Sequence, residues 1–215
     1  MSFKYLLAAA LLLSALAGCQ SAYYSAAEKV GIHKRDILVD RVEESRDAQR
    51  EAEEEFQDAL EQFSTLVNFD GGKLQDVYEN LSDEYDDAKD AADEVTERID
   101  AVEHVAEALF SEWEDEIEQY SNQRLRADSQ RQLRDTRKRY AGLIKAMRKA
   151  EAKMPPVLTA LHDNVLYLKH NLNARAVSAL KTEFRAIEQD VERLIAEMRR
   201  AIASSDEFIA SMSES

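Results

Sequence analysis

The chain has 215 residues, of which 45% are hydrophobic and 33% charged, with five glycines and two prolines. This length fits one domain, and the scarcity of helix-breaking residues excludes a sheet-rich fold and favours long helices. The formal net charge of −15 at pH 7 argues against nucleic acid or a bare anionic membrane surface as a partner of the molecule as a whole, because their phosphates would be repelled. With one cysteine, no disulfide can form within the chain.

The first 18 residues have the features of a secretion signal. Lys4 supplies a positive start, and the apolar run over residues 6–16 is too short to cross a bilayer, which takes about 20 residues. The run ends in four residues that resemble the lipobox of bacterial lipoproteins: Leu16, Ala17, Gly18 and Cys19. In that motif the small residues admit the signal peptidase and the thiol receives the lipid. The resemblance implies a signal peptide over residues 1–18 and lipidation at Cys19.

The residue after the cysteine bears on the final membrane. Gln20 is not an aspartate, which by resemblance to sorting in Gram-negative bacteria favours the outer membrane over the inner membrane. Residues 19–24 form a short tether, so the body is expected to stay close to the bilayer. We therefore predict a palmitate-bearing lipoprotein on the periplasmic face of the outer membrane, held stably because more than one acyl chain is attached.

A first long helix is predicted from Ser25, which begins a capping-box pattern, or alternatively from Asp36. Its apolar positions alternate by four and three residues, a heptad pattern that Ser45 and Gln49 dilute. The seam comprises Leu38, Val42, Ser45, Gln49, Ala52, Phe56, Ala59, Phe63 and Leu66. The helix is expected to end at the turn signal over residues 68–72.

The second segment, residues 73–120, carries the most regular pattern of the chain. Its seam comprises Leu74, Tyr78, Leu81, Tyr85, Ala88, Ala92, Val95, Ile99, Val102, Ala106, Leu109 and Trp113. A repeat near 3.5 residues predicts left-handed supercoiling against other helices. The pattern fades after Tyr120, and Ser129 with Gln132 has capping-box spacing. The chain therefore either reverses within residues 121–129 or continues there as one long helix.

A third segment, residues 129–171, must end or kink at Pro155-Pro156, because proline removes a backbone donor. Its apolar positions are Leu133, Tyr140, Leu143, Met147, Ala150, Met154, Leu158, Leu161, Val165, Leu168 and Leu172. A last helix is predicted from Asn173 as N-cap to about residue 210. The polar tail, residues 211–215, is expected to be disordered.

Four segments of similar length joined by short turns predict an all-α fold: an elongated antiparallel bundle over residues 25–210 with coiled-coil-like heptad seams. Without the reversal at 121–129, a three-helix rod results. Charge favours the bundle. Residues 43–118 hold 28 acidic and five basic side chains, and residues 124–153 hold eleven basic and three acidic ones, so a reversal lays opposite charges side by side.

Three stretches resemble a known family: residues 30–39 (VGIHKRDILV), 67–72 (VNFDGG) and 168–174 (LKHNLNA). They are similar to a family of uncharacterised Gram-negative lipoproteins catalogued as domain of unknown function 2959. The resemblance covers nearly the whole mature chain. It implies a helical lipoprotein and brings no activity, cofactor or catalytic residue with it.

The sequence contains no complete constellation for catalysis or metal binding. Di-metal sites in helical bundles need paired Glu-x-x-His motifs. The group most similar to such a motif comprises Asp100, Glu103, His104 and Glu107, and the chain has no second histidine motif to pair with it. Nucleophile elbows, phosphate loops and dinucleotide motifs do not occur, and the anchor would consume Cys19. We predict a protein that is not an enzyme and takes no cofactor and no structural metal.

Two charged surfaces remain as candidate binding sites. An acidic face on the second helix could collect divalent cations weakly: Asp83, Glu84, Asp86, Asp87, Asp90, Asp93 and Glu94. A basic strip could contact anionic lipid or lipopolysaccharide, or instead pair with the acidic helices: Arg124, Arg126, Arg131, Arg134, Arg137, Lys138 and Arg139. Trp113 and Tyr120 are expected to lie in the core.

These observations favour a lipid-anchored structural or interaction protein of the cell envelope, acting as scaffold, spacer or adaptor. The membrane is the partner reached through the lipid, and an envelope protein is the expected second partner. The alternatives are a helical protein that contacts membrane or lipopolysaccharide, and a weak cation- or ligand-binding module. Self-association is compatible with the seams, and the number of chains stays open.

Overall fold

The computed structural model describes residues 33–213. In this part of the chain five α-helices follow one another without a strand: α1 (Lys34–Val67), α2 (Leu74–Gln119), α3 (Gln123–Glu151), α4 (Met154–Lys169) and α5 (Ala174–Ser213). The predicted all-α class is therefore confirmed. The signal peptide, the lipobox, the tether and the helix start at Ser25 lie outside the described residues.

The segment formed by α3 and α4 packs antiparallel along α2. The contacts that set this order join Trp113 to Ser129, Phe110 to Tyr140, and Tyr85 to His162. Residue numbers fall along α2 as they rise along its partner, on both sides of the interruption at residues 152–153. Helices α3 and α4 therefore act as one long segment, as the third segment of the sequence predicts.

The four long segments form an up-down-up-down bundle. Helix α1 packs against α2 and α5, and the α3–α4 segment also packs against α2 and α5, so α1 lies diagonally opposite α3–α4. Phe63 of α1 meets Phe184 of α5 edge to face, with ring centroids 5.5 Å apart. Helix α2, with 46 residues, is about 70 Å long and sets the length of the rod.

The rod has two different ends. The proximal end holds the first described residue, His33, the α2–α3 turn at residues 120–122 and the end of α5. The distal end holds the turns at residues 68–73 and 170–173. In the first distal turn Gly71 and Gly72 have φ of +156° and +110°, a backbone that other residues rarely adopt.

The predicted seams form the hydrophobic core. All nine seam positions of α1 are buried, and the largest fully buried side chains include Phe56, Phe63, Leu81, Ile99, Leu143, Met147, Leu161, Leu168 and Leu194. Two predicted core positions are wrong. Tyr120 is 42% exposed because α2 has ended before it, and Leu172 is 37% exposed because it lies in the turn between α4 and α5.

The chain reverses at residues 120–122, so the alternative of one continuous helix is wrong. Asn122 caps α3: its side-chain oxygen accepts hydrogen bonds from the backbone N–H groups of Arg124 and Leu125 at 2.9 and 3.4 Å. The predicted cap at Ser129 is also wrong. Ser129 lies inside α3, where its hydroxyl accepts a hydrogen bond from Nε1 of Trp113 at 2.8 Å.

The remaining helix ends follow the sequence closely. Pro155 and Pro156 stand in the first turn of α4, where a missing N–H costs little. Asn173 caps α5 as predicted, accepting hydrogen bonds from the backbone of Arg175 and Ala176. Helix α5 continues through Ser213 rather than ending near residue 210, because Met212 packs into the core.

One polar layer interrupts the core. Ser45 and Gln49 are fully buried on α1, and Nε2 of Gln49 donates a weak hydrogen bond to Oγ of Ser45 at 3.4 Å. Oγ of Ser45 lies 3.9 Å from the sulfur of Met147 on α3. The buried Oε1 of Gln49 has no hydrogen-bond partner among the described residues. An unpaired buried oxygen costs about 1–3 kcal/mol, so this layer lowers the stability of the bundle.

The substitution Gln49→Met is expected to raise the free energy of unfolding by about 1–2 kcal/mol, because it keeps the side-chain volume and removes the unpaired oxygen. Gln57→Met, on the exposed side of the same helix, is the matched control and should change stability by less than about 0.5 kcal/mol. Urea denaturation followed by circular dichroism measures both. Destabilisation by Gln49→Met would show that the amide is satisfied in solution.

Candidate functional site

The basic strip lies on α3, and the structure divides it into two groups. In the first group the side chains have partners within the bundle: Arg131 pairs with Asp128, Arg137 pairs with Glu114, and Arg139 donates to Oγ1 of Thr136 at 3.4 Å. The second group has no carboxylate at ion-pairing distance among residues 33–213: Arg124, Arg126, Arg134 and Lys138. The candidate lipid-contacting residues are thus not equivalent.

Arg137 belongs to the interface between α2 and α3. Its guanidinium lies 5.2 Å above the ring of Phe110, which itself packs on Tyr140. The ion pair with Glu114 raises the pKa of Arg137 and lowers that of Glu114. Burial raises the pKa of Tyr140 to about 12, so the phenol stays neutral in this apolar contact. Arg137 therefore joins helices instead of facing a ligand.

Arg148 links α3 to α2 through several carboxylates. Its guanidinium pairs with Asp100 and Glu103 of α2, and with Glu151 one turn along α3 at 3.0 Å. Hydrogen bonding to Glu103 is the main cause that raises the pKa of Arg148. Asp100 and Glu103 belong to the group that most resembled a metal-binding motif in the sequence. In the structure their carboxylates form ion pairs with Arg148. His104, the residue that follows Glu103, is exposed.

Replacing Arg148 by Met is expected to destabilise the bundle by about 1–2 kcal/mol, because three carboxylates lose their shared cation. Arg134→Met, on an exposed arginine of the same helix without an ion pair, is the control and should cost less than about 0.5 kcal/mol. Thermal denaturation at low and high salt measures both. Equal costs for the two variants would contradict a specific role for Arg148.

A second charged site, the acidic groove, runs between α1 and α2. It is lined by Ala48, Glu51, Glu55, Asp87, Asp90, Ala91 and Glu94. At its distal side Glu55 and Asp58 of α1 meet Glu84 of α2, with one carboxylate oxygen of each within 4.8 Å of the others. The sequence predicted the α2 half of this site. It missed the α1 half, because only the register between the helices shows which α1 acids face Glu84.

The carboxylates of the acidic groove repel one another. Partial burial is the main cause that raises the pKa of both Glu55 and Glu84, and the neighbouring Asp58 and Asp87 raise both further. Because the folded state holds these protons more tightly than the unfolded chain, stability increases as the pH falls through the raised pKa values towards 4.5. At neutral pH the ionised groove opposes folding. The cluster alone does not define a ligand.

Glu84→Gln is therefore expected to raise the melting temperature at pH 7, and the gain should shrink as the pH approaches 4.5, where protonated Glu84 resembles glutamine. Glu54→Gln, at an exposed position of α1, is the control and should give no comparable gain at neutral pH. Thermal denaturation across pH 4–8 would record the difference. A loss of stability for Glu84→Gln at pH 7 would mean that its carboxylate makes a favourable contact.

Two open grooves show no catalytic arrangement. The first, of about 500 Å³, lies between α2 and α4 beside Tyr85, Met154 and His162. His162 packs on the Tyr85 ring, and the hydroxyl of Thr159 in the same groove donates to a backbone carbonyl. The second, of about 510 Å³, lies at the proximal end beside Trp113, whose indole N–H already bonds to a serine. Neither groove joins a nucleophile to a base.

The large exposed apolar side chains of the described residues lie towards the two ends of the rod. Tyr120 and Leu125 are at the proximal end, whereas Leu166, Tyr167 and Leu172 are towards the distal end. No helix among residues 33–213 has an apolar stretch that could cross a bilayer. Among the described residues, the most exposed large apolar side chains that a partner could contact are therefore near the ends of the rod.

Comparison with known proteins gives a family and no activity. No curated protein matches the chain. The family described as "Protein of unknown function (DUF2959)" matches residues 23–212, which include all five helices almost to the last residue of α5. This agrees with the resemblance carried by residues 30–39, 67–72 and 168–174. The chain belongs to the DUF2959 family of proteins of unknown function.

Proposed function

We propose that this protein is a lipid-anchored scaffold, spacer or adaptor on the periplasmic face of the outer membrane. The observation that carries the proposal is the polarity of the rod: the chain enters the bundle at the proximal end, downstream of the lipobox that ends in Cys19. A helix of 46 residues extends about 70 Å from that end. Such a body would hold a binding surface well away from the bilayer.

The length of chain between the anchor and the bundle limits where the rod can stand. The 14 residues that follow Cys19, up to and including His33, can span at most about 50 Å when fully extended. The proximal end would then lie at most about 50 Å from the anchored cysteine, and the distal end would be the part that reaches other envelope components. This geometry suits a spacer or adaptor better than an enzyme, because the grooves offer no paired nucleophile and base.

The surface towards the distal end offers a contact for a partner protein. Leu166 and Tyr167 are 48% and 43% exposed on α4, a helix of 16 residues in which Asp163 and Lys169 are the charged side chains. The rest of the acidic body would repel most envelope proteins of like charge. A weakly charged, partly apolar surface near the end of a long rod is therefore the preferred place for an adaptor to bind.

A photoreactive phenylalanine analogue placed at Tyr167 in intact cells is expected to give a discrete cross-linked species. The same analogue at Gln57, an exposed position of α1, is the control and should give none.

Mass spectrometry of the purified protein should find acyl groups on Cys19, and Cys19→Ser should move the chain out of the membrane fraction.

An adduct of twice the chain mass would make the distal partner a second copy. Identical patterns at both positions would contradict the adaptor proposal. A Cys19 without acyl groups would contradict the anchor.

A further inference from the structure

We propose that the proximal tip, residues 120–126, is a second membrane contact, in which Tyr120 and Leu125 enter the headgroup region of the phospholipid bilayer that holds the anchor. This inference rests on the proposed function, because it needs the proximal end to face the membrane. The contact surface is the proximal tip, and its partner is the interface of a phospholipid bilayer.

The tip projects beyond the rest of the described body. Nζ of Lys34, at the start of α1, pairs with Glu112 of α2 at 2.8 Å. Tyr120 follows Glu112 by eight residues, so the tip extends about 12 Å past the first residue of α1. Arg35 donates to the backbone carbonyl of Met212, which puts the end of α5 at the level of the start of α1. Of the described residues at the proximal end, the tip would therefore meet an approaching flat surface before the start of α1 or the end of α5.

The chemistry of the exposed side chains supports this contact. Tyr120 is 42% exposed and Leu125 is 52% exposed, the largest exposed fraction among the large apolar residues of the described chain. Tyrosine favours the boundary between water and hydrocarbon because its ring is apolar and its hydroxyl is polar. Leucine in the first turn of α3 can enter the same layer, since an amphipathic surface inserts about 5–10 Å into the headgroup region.

The local charge also supports this contact. The tip contains Arg124 and Arg126 and no acidic residue, whereas the whole chain carries a net charge of −15. Neither arginine has an ion-pair partner among the described residues. The nearest acids in sequence, Glu118 and Asp128, each lie two residues outside the tip. Arginine side chains can lay their stems on apolar neighbours and direct their guanidinium groups to lipid phosphates.

The same structure argues against lipid contact along the whole of α3. Arg137 of the basic strip and Arg148 beyond it pair with α2, and Lys149 pairs with Glu197 of α5 at 2.9 Å. Further along the rod, the acidic side chains of α2 would repel an anionic surface. The contact is therefore local and depends more on apolar insertion than on total charge, so it should respond weakly to salt.

The tip contact would affect the orientation of the rod on the membrane more than how strongly the protein is held there. Several acyl chains on one cysteine already hold a protein on a membrane. A second attachment at the same end of the rod would restrict how far the rod tilts and rotates. The distal surface would then stay at a defined distance from the bilayer, which is what a spacer or adaptor requires.

The test uses the full lipidated protein in phosphatidylethanolamine–phosphatidylglycerol vesicles. Acylation consumes the thiol of Cys19, so an introduced cysteine is the one reactive thiol in the chain. Two variants, Tyr120→Cys and Tyr167→Cys, are labelled with the same fluorophore. The two tyrosines are nearly equally exposed, at 42% and 43%. Spin-labelled lipid should quench the label at position 120 at least about threefold more than the label at position 167.

Leu125→Cys provides a second label in the tip, and circular dichroism confirms that each variant keeps its helices. Equally weak quenching at positions 120 and 167, with Cys19 acylated, would overturn the tip contact and leave the anchor intact. A tip label that is shielded from aqueous quencher but not reached by the lipid quencher would mean contact with a second copy, and would also overturn it. Absence of acyl groups on Cys19 would overturn the anchor and the tip contact together.

Discussion

The packing of α2 against the α3–α4 segment is the interaction on which the rest of the structure depends. It keeps one antiparallel register from Trp113 near the proximal end to Tyr85 in the distal half, across the interruption at residues 152–153. Because this register is continuous, the bundle becomes one elongated body with two different ends. The exposed tip, the weakly charged surface towards the distal end and the acidic groove all follow from where this packing places each turn.

Charge reinforces that register. Arg137 of the basic strip and Arg148 further along α3 bind carboxylates on α2, and Lys149 binds one on α5, so these three side chains hold helices together. Surface pairs add little each, but a network that shares one arginine among three carboxylates favours one orientation of the hairpin over others. The acidic groove has the opposite effect, since α1 and α2 bring like charges together along their length. We therefore propose that the functional surfaces are at the ends, where the pairing stops.

The sequence predicts this core almost residue by residue, because a four-three repeat with few glycines and prolines leaves one face per helix to bury. The sequence does not place the reversal at one residue, because Asn122 caps α3 without a neighbouring glycine or proline. Ser129, which has the spacing of a helix cap, instead accepts a hydrogen bond from Trp113 inside α3. The sequence placed Tyr120 and Leu172 in the core because periodicity does not show where a helix stops. The α1 half of the acidic groove depends on inter-helix register, which one sequence does not contain. The lipid anchor, in contrast, is predicted by the sequence alone. It rests on residues 16–19, which lie outside the part of the chain that the structure describes.

A distance measurement between α2 and α4 tests the central claim directly. Spin labels at Asp86 and Asp163, both exposed, lie next to Tyr85 and His162, whose rings pack 5.5 Å apart. Pulsed electron resonance on the lipidated protein should give about 20–30 Å, as expected for labels on adjacent helices of one bundle. A distance of about 100 Å or more, as in a chain that stays helical through residues 120–122, would contradict the reversal and the two-ended rod built on it.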